Sequence, residues 1–250
     1  MASFSCLAPD GVRLAGDLFL ARGGGRATVV LAHGLPSTQA APDPSDEGYP
    51  GLARRIAERG FDTAIFNFRG TGRSGGHLEI ERWSDDLGAV LDYLDQSDAR
   101  RETYAVVGFS AGAAASIMRS EYDARIDPLI TLAAPADFSF LPLSTDAAAW
   151  FALYRQLGMI RDGYEKTPAQ WAEGFADVVP REAIGRSRAQ QVFLLHGTAD
   201  ELVPVTHAGV LAKAAGAKAR PVLIAGGIHQ MRRDERALQI LFDVLDRALP

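Results

Sequence analysis

The stretch Ala105-Val106-Val107-Gly108-Phe109-Ser110-Ala111-Gly112-Ala113-Ala114-Ala115 decides how this chain is read. A short apolar run, a glycine-flanked serine and an alanine-rich run predict a strand, a tight turn and a helix. Glycines two before and two after the serine let strand and helix approach with no side chain between them. The serine is forced outward on a strained backbone, its hydroxyl at a helix N-terminus where developing negative charge is favoured. G-x-S-x-G alone arises by chance in a chain with 25 glycines. The flanking strand and helix are what make Ser110 a candidate nucleophile.

On both sides of that stretch, short apolar strands alternate with longer amphipathic segments. Strands are predicted at Ala27–Ala32, Asp62–Phe68, Thr103–Val107, Leu129–Ala133, Val192–His196 and Ala219–Ala225. Helices fit between and after them at Pro50–Arg59, Glu81–Asp95, Ala111–Glu121, Thr206–Ala215 and Asp234–Ala248. This rhythm predicts a mostly parallel sheet covered by helices on both faces. The chain opens differently: Ser3–Ala8 and Val12–Leu20 flank Pro9-Asp10-Gly11, which predicts antiparallel N-terminal strands.

One stretch breaks the rhythm. More than fifty residues separate the strand ending near Ala133 from the one beginning near Gln191, too many for a simple crossover. Helical spacing through Asp146–Met159 and Pro168–Val179 predicts an inserted cap. The expected organisation is therefore a core of residues 1–136 and 187–250 with a small helical cap at 137–186. Phe138, Phe140, Trp150, Phe151, Tyr154, Trp171 and Phe175 either line a pocket or, more simply, form the core of the insertion. The Pro/Asp-rich loop Ala41–Pro50 is expected to be mobile.

Composition narrows the function. With 250 residues, 47% of them hydrophobic and 23% charged, the chain fits one globular domain with a full core. Cys6 is the single cysteine, so neither a disulfide framework nor a thiolate metal cluster can form, and a cytoplasmic address is expected. A net charge of -5 argues against a phosphate-neutralising nucleic-acid surface. No apolar run approaches the roughly 20 residues of a bilayer span, and Pro9 interrupts a start without basic residues, so the chain is expected to begin near Met1 without a leader. No cofactor or metal is expected.

A serine hydroxyl is a poor nucleophile unless a base takes its proton, and that base must be oriented by a carboxylate. Of the five histidines, His229 follows a predicted strand in the glycine loop Gly226-Gly227-Ile228-His229, at the edge where strand C-termini open. Asp200, just past the strand ending at His196, is the candidate acid; its neighbour Glu201, and Asp137 beyond another strand end, are rivals. Gly70-Thr71-Gly72-Arg73-Ser74-Gly75 matches a dinucleotide-binding turn. Its context is wrong, because residues 76–80 intervene before a helix and Asp92 and Asp95 fall inside that helix.

Several elements in chain order now resemble the α/β-hydrolase family over nearly the full length. They are His33-Gly34-Leu35-Pro36, Asn67-Phe68-Arg69-Gly70, the serine turn, His196-Gly197-Thr198-Ala199-Asp200 and Gly226-Gly227-Ile228-His229. The resemblance implies an α/β-hydrolase fold and the order Ser110, Asp200, His229 for nucleophile, acid and base. It also implies an oxyanion hole made by the backbone N–H groups of Leu35 and Ala111, with His33 structural. Asn67 stands where that family often carries Asp, a change that touches packing. The short cap is similar to that of compact cinnamoyl/feruloyl esterases and serine-aminopeptidase-like S33 hydrolases.

The leading expectation is a serine hydrolase cleaving a small-molecule carboxylic ester through an acyl-enzyme. Amide, thioester or carbon–carbon bond cleavage at the same site is the alternative. A catalytically silent binding protein of the same fold is a third reading, against which a complete Ser110, Asp200 and His229 set argues.

Overall fold

In a computed structural model the described residues are 1–36 and 46–249. β1 (Ala2–Leu7) and β2 (Arg13–Phe19) form the expected antiparallel pair, Ala2 opposite Leu18 and Leu7 opposite Arg13. β3 (Ala27–Ala32), β4 (Phe61–Asn67), β5 (Tyr104–Phe109), β6 (Ile126–Leu132), β7 (Val192–Gly197) and β8 (Ala219–Ile224) are mutually parallel, and β2 joins them antiparallel to β4. Among the described residues the spatial order is β1-β2-β4-β3-β5-β6-β7-β8. The chain leaves β3 in one direction and reaches β5, on the other side of β3, by crossing back from β4. A crevice therefore opens outside the C-terminal ends of β3 and β5, where winding reverses.

The central strands are apolar without alternation because both sheet faces are covered. On one face Ile56 of α1 (Gly48–Glu58) and Leu241 and Leu245 of α8 (Glu235–Ala248) pack against Val29, Leu31 and Val107. On the other, Val90 of α2 (Trp83–Leu94), Ile117 of α3 (Ala111–Ser120) and Leu211 of α7 (Thr206–Ala215) pack against Val30, Val106 and Leu129. Each such aliphatic side chain taken from water contributes about 1.5–3 kcal/mol. In α8 the apolar positions Leu238, Leu241, Phe242 and Leu245 recur every three or four residues. Asp234 caps its first turn by accepting from the Arg236 N–H.

Between β6 and β7 lie α4 (Leu143–Gln156), α5 (Pro168–Ala176) and the single turn α6 (Pro180–Ala183). α5 begins on a capping box, Thr167 and Gln170 each bonding the other's backbone N–H, with Pro168 in its first turn. Phe151, Tyr154, Trp171 and Phe175 are buried against one another, with Trp171 5.1 Å from Phe175 and 5.7 Å from both Phe151 and Tyr154 between ring centroids. The Trp171 Nε1–H donates to the Leu78 carbonyl at 2.8 Å and fastens the insertion to the core. Phe151, Tyr154 and Trp171 pack as part of the insertion's interior, while Phe175 packs there and also borders a cavity. Trp171→Ala should therefore cost about 3–5 kcal/mol of stability, read as a lowered midpoint in thermal denaturation, and lower activity equally on every acyl chain length.

Of the loop expected to be mobile, residues 41–45 lie outside the described residues, while Gly48, Tyr49 and Pro50 already form the first turn of α1. No described helix is long and apolar enough to cross a membrane.

Candidate active site

Ser110 occupies the turn between β5 and α3 with φ 51° and ψ -120°, a region that L-residues other than glycine rarely enter. Strain of this kind costs on the order of 1–3 kcal/mol and persists only where the surroundings enforce it. Here the Ser110 N–H donates to the Leu132 carbonyl at 2.9 Å, and the Ser110 carbonyl accepts from the Ala114 N–H at 3.1 Å. The two flanking glycines are steric necessities. A Cβ on Gly108 would lie 2.5 Å from Ala113 Cα, and one on Gly112 would lie 2.3 Å from the carbonyl oxygens of Ala32 and His33.

The loop after β8 brings His229 to the same place, its Nε2 3.0 Å from Ser110 Oγ. Its Nδ1 lies 2.9 Å and 3.1 Å from the two carboxylate oxygens of Asp200. With a proton on Nδ1 donated to Asp200, Nε2 is left as the acceptor for the Ser110 hydroxyl. Asp200, on the turn after β7, has a fully buried carboxylate. Oδ1 also accepts from the Leu202 and Val203 N–H groups at 3.0 Å and 2.8 Å, and His196 Nε2 lies 3.3 Å from Oδ2. Burial pushes the Asp200 carboxyl up, but the hydrogen bonds from His196, His229 and the Val203 backbone outweigh it. The group is held well below the usual carboxylate range, so it remains ionised beside the imidazole.

Asp137 is occupied elsewhere, pairing with Arg181 and accepting from the Ser139 N–H at 2.9 Å. Glu201 is exposed to solvent. The remaining histidines have structural partners. His77 Nδ1 accepts from the Arg161 N–H, His207 Nδ1 accepts from the Ala136 N–H, and His196 Nε2–H donates to the Val203 carbonyl at 2.9 Å. His33 is buried, donates from Nδ1 to the Gly34 carbonyl at 2.8 Å and accepts at Nε2 from the Phe68 N–H at 3.2 Å. It ties the loop after β3 to the loop after β4. Burial lowers its pKa and keeps the ring neutral, as that donor–acceptor pattern requires.

Ser110, His229 and Leu35 line one cavity of about 400 Å³, together with Tyr49, Phe109, Leu132 and Met231. Among the described residues the backbone N–H groups of Leu35 and Ala111 have no hydrogen-bond acceptor. Gly34 is pressed against the serine turn, since a Cβ there would lie 3.0 Å from Ser110 Cβ. No residue of 137–186 is among those lining this cavity; that segment borders a separate open cavity of about 530 Å³ at Phe138, Leu143, Phe175 and Val179. Tyr49 and Arg232 carry no motif, and sequence reasoning passed over both; only the folded chain places them here.

The glycines of the dinucleotide-like turn have steric duties. A Cβ on Gly70 would lie 2.3 Å from the Leu78 nitrogen, one on Gly72 2.5 Å from the Asn67 side chain, and no α-helix begins until Trp83. Arg69, immediately before it, is buried and holds Asp86 at 2.8 Å. Among the described residues no group of His, Cys, Asp and Glu side chains is placed to hold a metal ion.

A sheet of this order, with a strained serine at the strand-to-helix turn beside the winding reversal, is the α/β-hydrolase fold. Residues 24–157, just over half of the chain, match the serine aminopeptidase, S33 family, and the chain belongs to it. The fold is similar to that of the α/β hydrolase GrgF from Penicillium sp. sh18, at 16% identity and TM-score 0.77 over 99% of this chain and 98% of that one. It is also similar to Est1E from Butyrivibrio proteoclasticus with ferulic acid bound, at 16% identity and TM-score 0.71 over 97% and 98%. A third likeness is to the Pyrococcus furiosus esterase Pf2001, at 18% identity and TM-score 0.68 over 100% and 93%. A search of the curated proteins finds no match. The chain is an α/β hydrolase.

Proposed function

We propose that the protein cleaves a small-molecule carboxylic ester through an acyl-enzyme on Ser110. The observation that carries this reading is the hydrogen-bonded series Ser110, His229, Asp200 opening into a cavity beside two unoccupied backbone donors. His229 Nε2 takes the Ser110 proton as Oγ bonds to the ester carbon, and the carbonyl oxygen gains the negative charge. The N–H groups of Leu35 and Ala111 receive that oxyanion without reorganising. Collapse breaks the bond to the alkoxy oxygen, which leaves with the proton from His229. Water then repeats the sequence on the acyl-enzyme, giving the acid and free Ser110. Asp200 holds the ring in the required tautomer and stabilises the imidazolium.

Amide cleavage, the reading the family's name favours, uses the same steps with an amine as leaving group. A substrate with a free α-amino group calls for an anionic side chain in the pocket. Among the described residues lining the cavity, the charged side chains are Arg232 and Arg233, with no carboxylate. Both guanidiniums are paired to Asp46, so this lining, together with Leu35, Phe109, Leu132 and Met231, suits a neutral ester better than an ammonium. On this reading the enzyme works in the cytoplasm without a cofactor, on a small molecule rather than nucleic acid or membrane.

The test is labelling of the purified protein by a fluorophosphonate probe, followed by rates on an aryl acetate and an aminoacyl anilide. Stoichiometric labelling and faster ester turnover are expected. Absence of labelling would eliminate serine catalysis, and faster anilide turnover would reverse the choice of substrate class.

A further inference from the structure

Tyr49, in the first turn of α1, touches the segments that carry Leu35, Ser110 and His229. Its hydroxyl accepts from the Gly34 N–H at 3.4 Å, in the loop that carries Leu35. Its ring stands edge-on to Phe109, the residue before Ser110, with centroids 5.3 Å apart. The Arg232 guanidinium, three residues beyond His229, lies 5.2 Å from the Tyr49 ring centroid, and Asp46 holds that guanidinium through both terminal nitrogens.

The orientation of the Leu35 N–H depends on the two peptide groups around Gly34. The Gly34–Leu35 peptide is held at its carbonyl by His33 Nδ1–H, and in a trans peptide the N–H of Leu35 points away from that carbonyl. The preceding His33–Gly34 peptide is held at its N–H by the Tyr49 hydroxyl. Gly34 itself is clamped on its other side by the serine turn, 3.0 Å from where its own Cβ would be. The Tyr49 contact is long for an N–H···O bond.

We infer that Tyr49 is a positioning residue that aims the Leu35 N–H at the developing oxyanion by holding the Gly34 N–H. The inference rests on the Ser110 ester-hydrolase reading above. Burial raises the Tyr49 hydroxyl to about 12, so it is neutral across the working range and Tyr49→Phe changes no charge. Direct loss of an oxyanion donor costs roughly 10²–10³-fold in kcat. Loosening one through its neighbour should cost about 5–20-fold, a fraction of that range.

The experiment is Tyr49→Phe on the intact protein, with an aryl acetate, the fluorophosphonate probe and an aryl trifluoromethyl ketone. Addition of Ser110 Oγ to the ketone, with its proton passing to His229, creates an oxyanion at the same position as the ester's. The expected result is a kcat and labelling rate about 5–20-fold lower, KM within about twofold of wild type, and ketone affinity weakened in proportion to kcat/KM. Wild-type rates and ketone affinity in the variant would overturn the inference while leaving the Ser110 reading standing. A rise in KM that accounts for the whole loss, or a variant unfolded by circular dichroism, would overturn it by making Tyr49 a packing element. A wild type that the probe does not label would overturn both readings.

Discussion

Ser110→Ala should lower kcat on a short-chain aryl ester by about 10⁵–10⁶-fold, with KM little changed, because the variant keeps the pocket and loses the atom that forms the acyl bond. The residual rate comes from the oxyanion donors acting on a water molecule. Alanine also suits the turn no worse than serine does, since both carry a Cβ at φ 51°. Folding should therefore be unaffected, and the loss reads chemistry alone. The measurement is steady-state kcat on protein expressed without wild-type contamination, with circular dichroism as the folding check. Activity within tenfold of wild type would eliminate Ser110 as the nucleophile.

The second large effect falls on Asp200. In Asp200→Asn the surviving oxygen is drawn to the Leu202 and Val203 N–H groups, which Oδ1 already accepts from at 3.0 Å and 2.8 Å. The new amide N–H₂ then faces His229 Nδ1 and turns that nitrogen into an acceptor. The ring proton moves to Nε2, where it opposes the Ser110 hydroxyl instead of accepting from it. The expected loss in kcat is about 10⁴. Asp137→Asn and Glu201→Gln should each stay within a few-fold, since Asp137 is engaged by Arg181 and Glu201 faces solvent. A crippled Asp137→Asn beside a nearly normal Asp200→Asn would move the acid to the other strand end.

Most strands and helices are legible along the chain because their signals are local. β3 and β5 are unbroken apolar runs between turn residues, and α8 repeats its apolar face every three or four residues. Boundaries drift where tertiary contacts decide them. β6 begins at Ile126 rather than Leu129 because Ile126 pairs with Tyr104, and α1 starts at Gly48 rather than Pro50.

Ser110 is legible for a similar reason. Its strained turn needs Gly108 and Gly112 within two residues on either side, so the steric requirement is written next to the residue it serves. His229 is visible through the glycine loop that carries it. The choice among Asp200, Glu201 and Asp137 is not local, because all three lie at or just past a strand end. Only the fold shows that Asp200 meets His229, 29 positions away, while Asp137 meets Arg181.

The cap aromatics and Tyr49 mark the same boundary. An aromatic residue at helical spacing has one appearance in sequence whether its ring fills a core or borders a pocket. Packing against Phe151, Tyr154 and Phe175, with an anchor on the Leu78 carbonyl, puts Trp171 in the first class. Tyr49 has no motif, and its place between Gly34, Phe109 and Arg232 exists only once β3, β5 and the loop after β8 are brought together. Hydrogen-bonding and glycine requirements between near neighbours leave a pattern in the chain; contacts between residues as far apart as Tyr49 and Arg232 are set by the energy of the whole packed state and leave none.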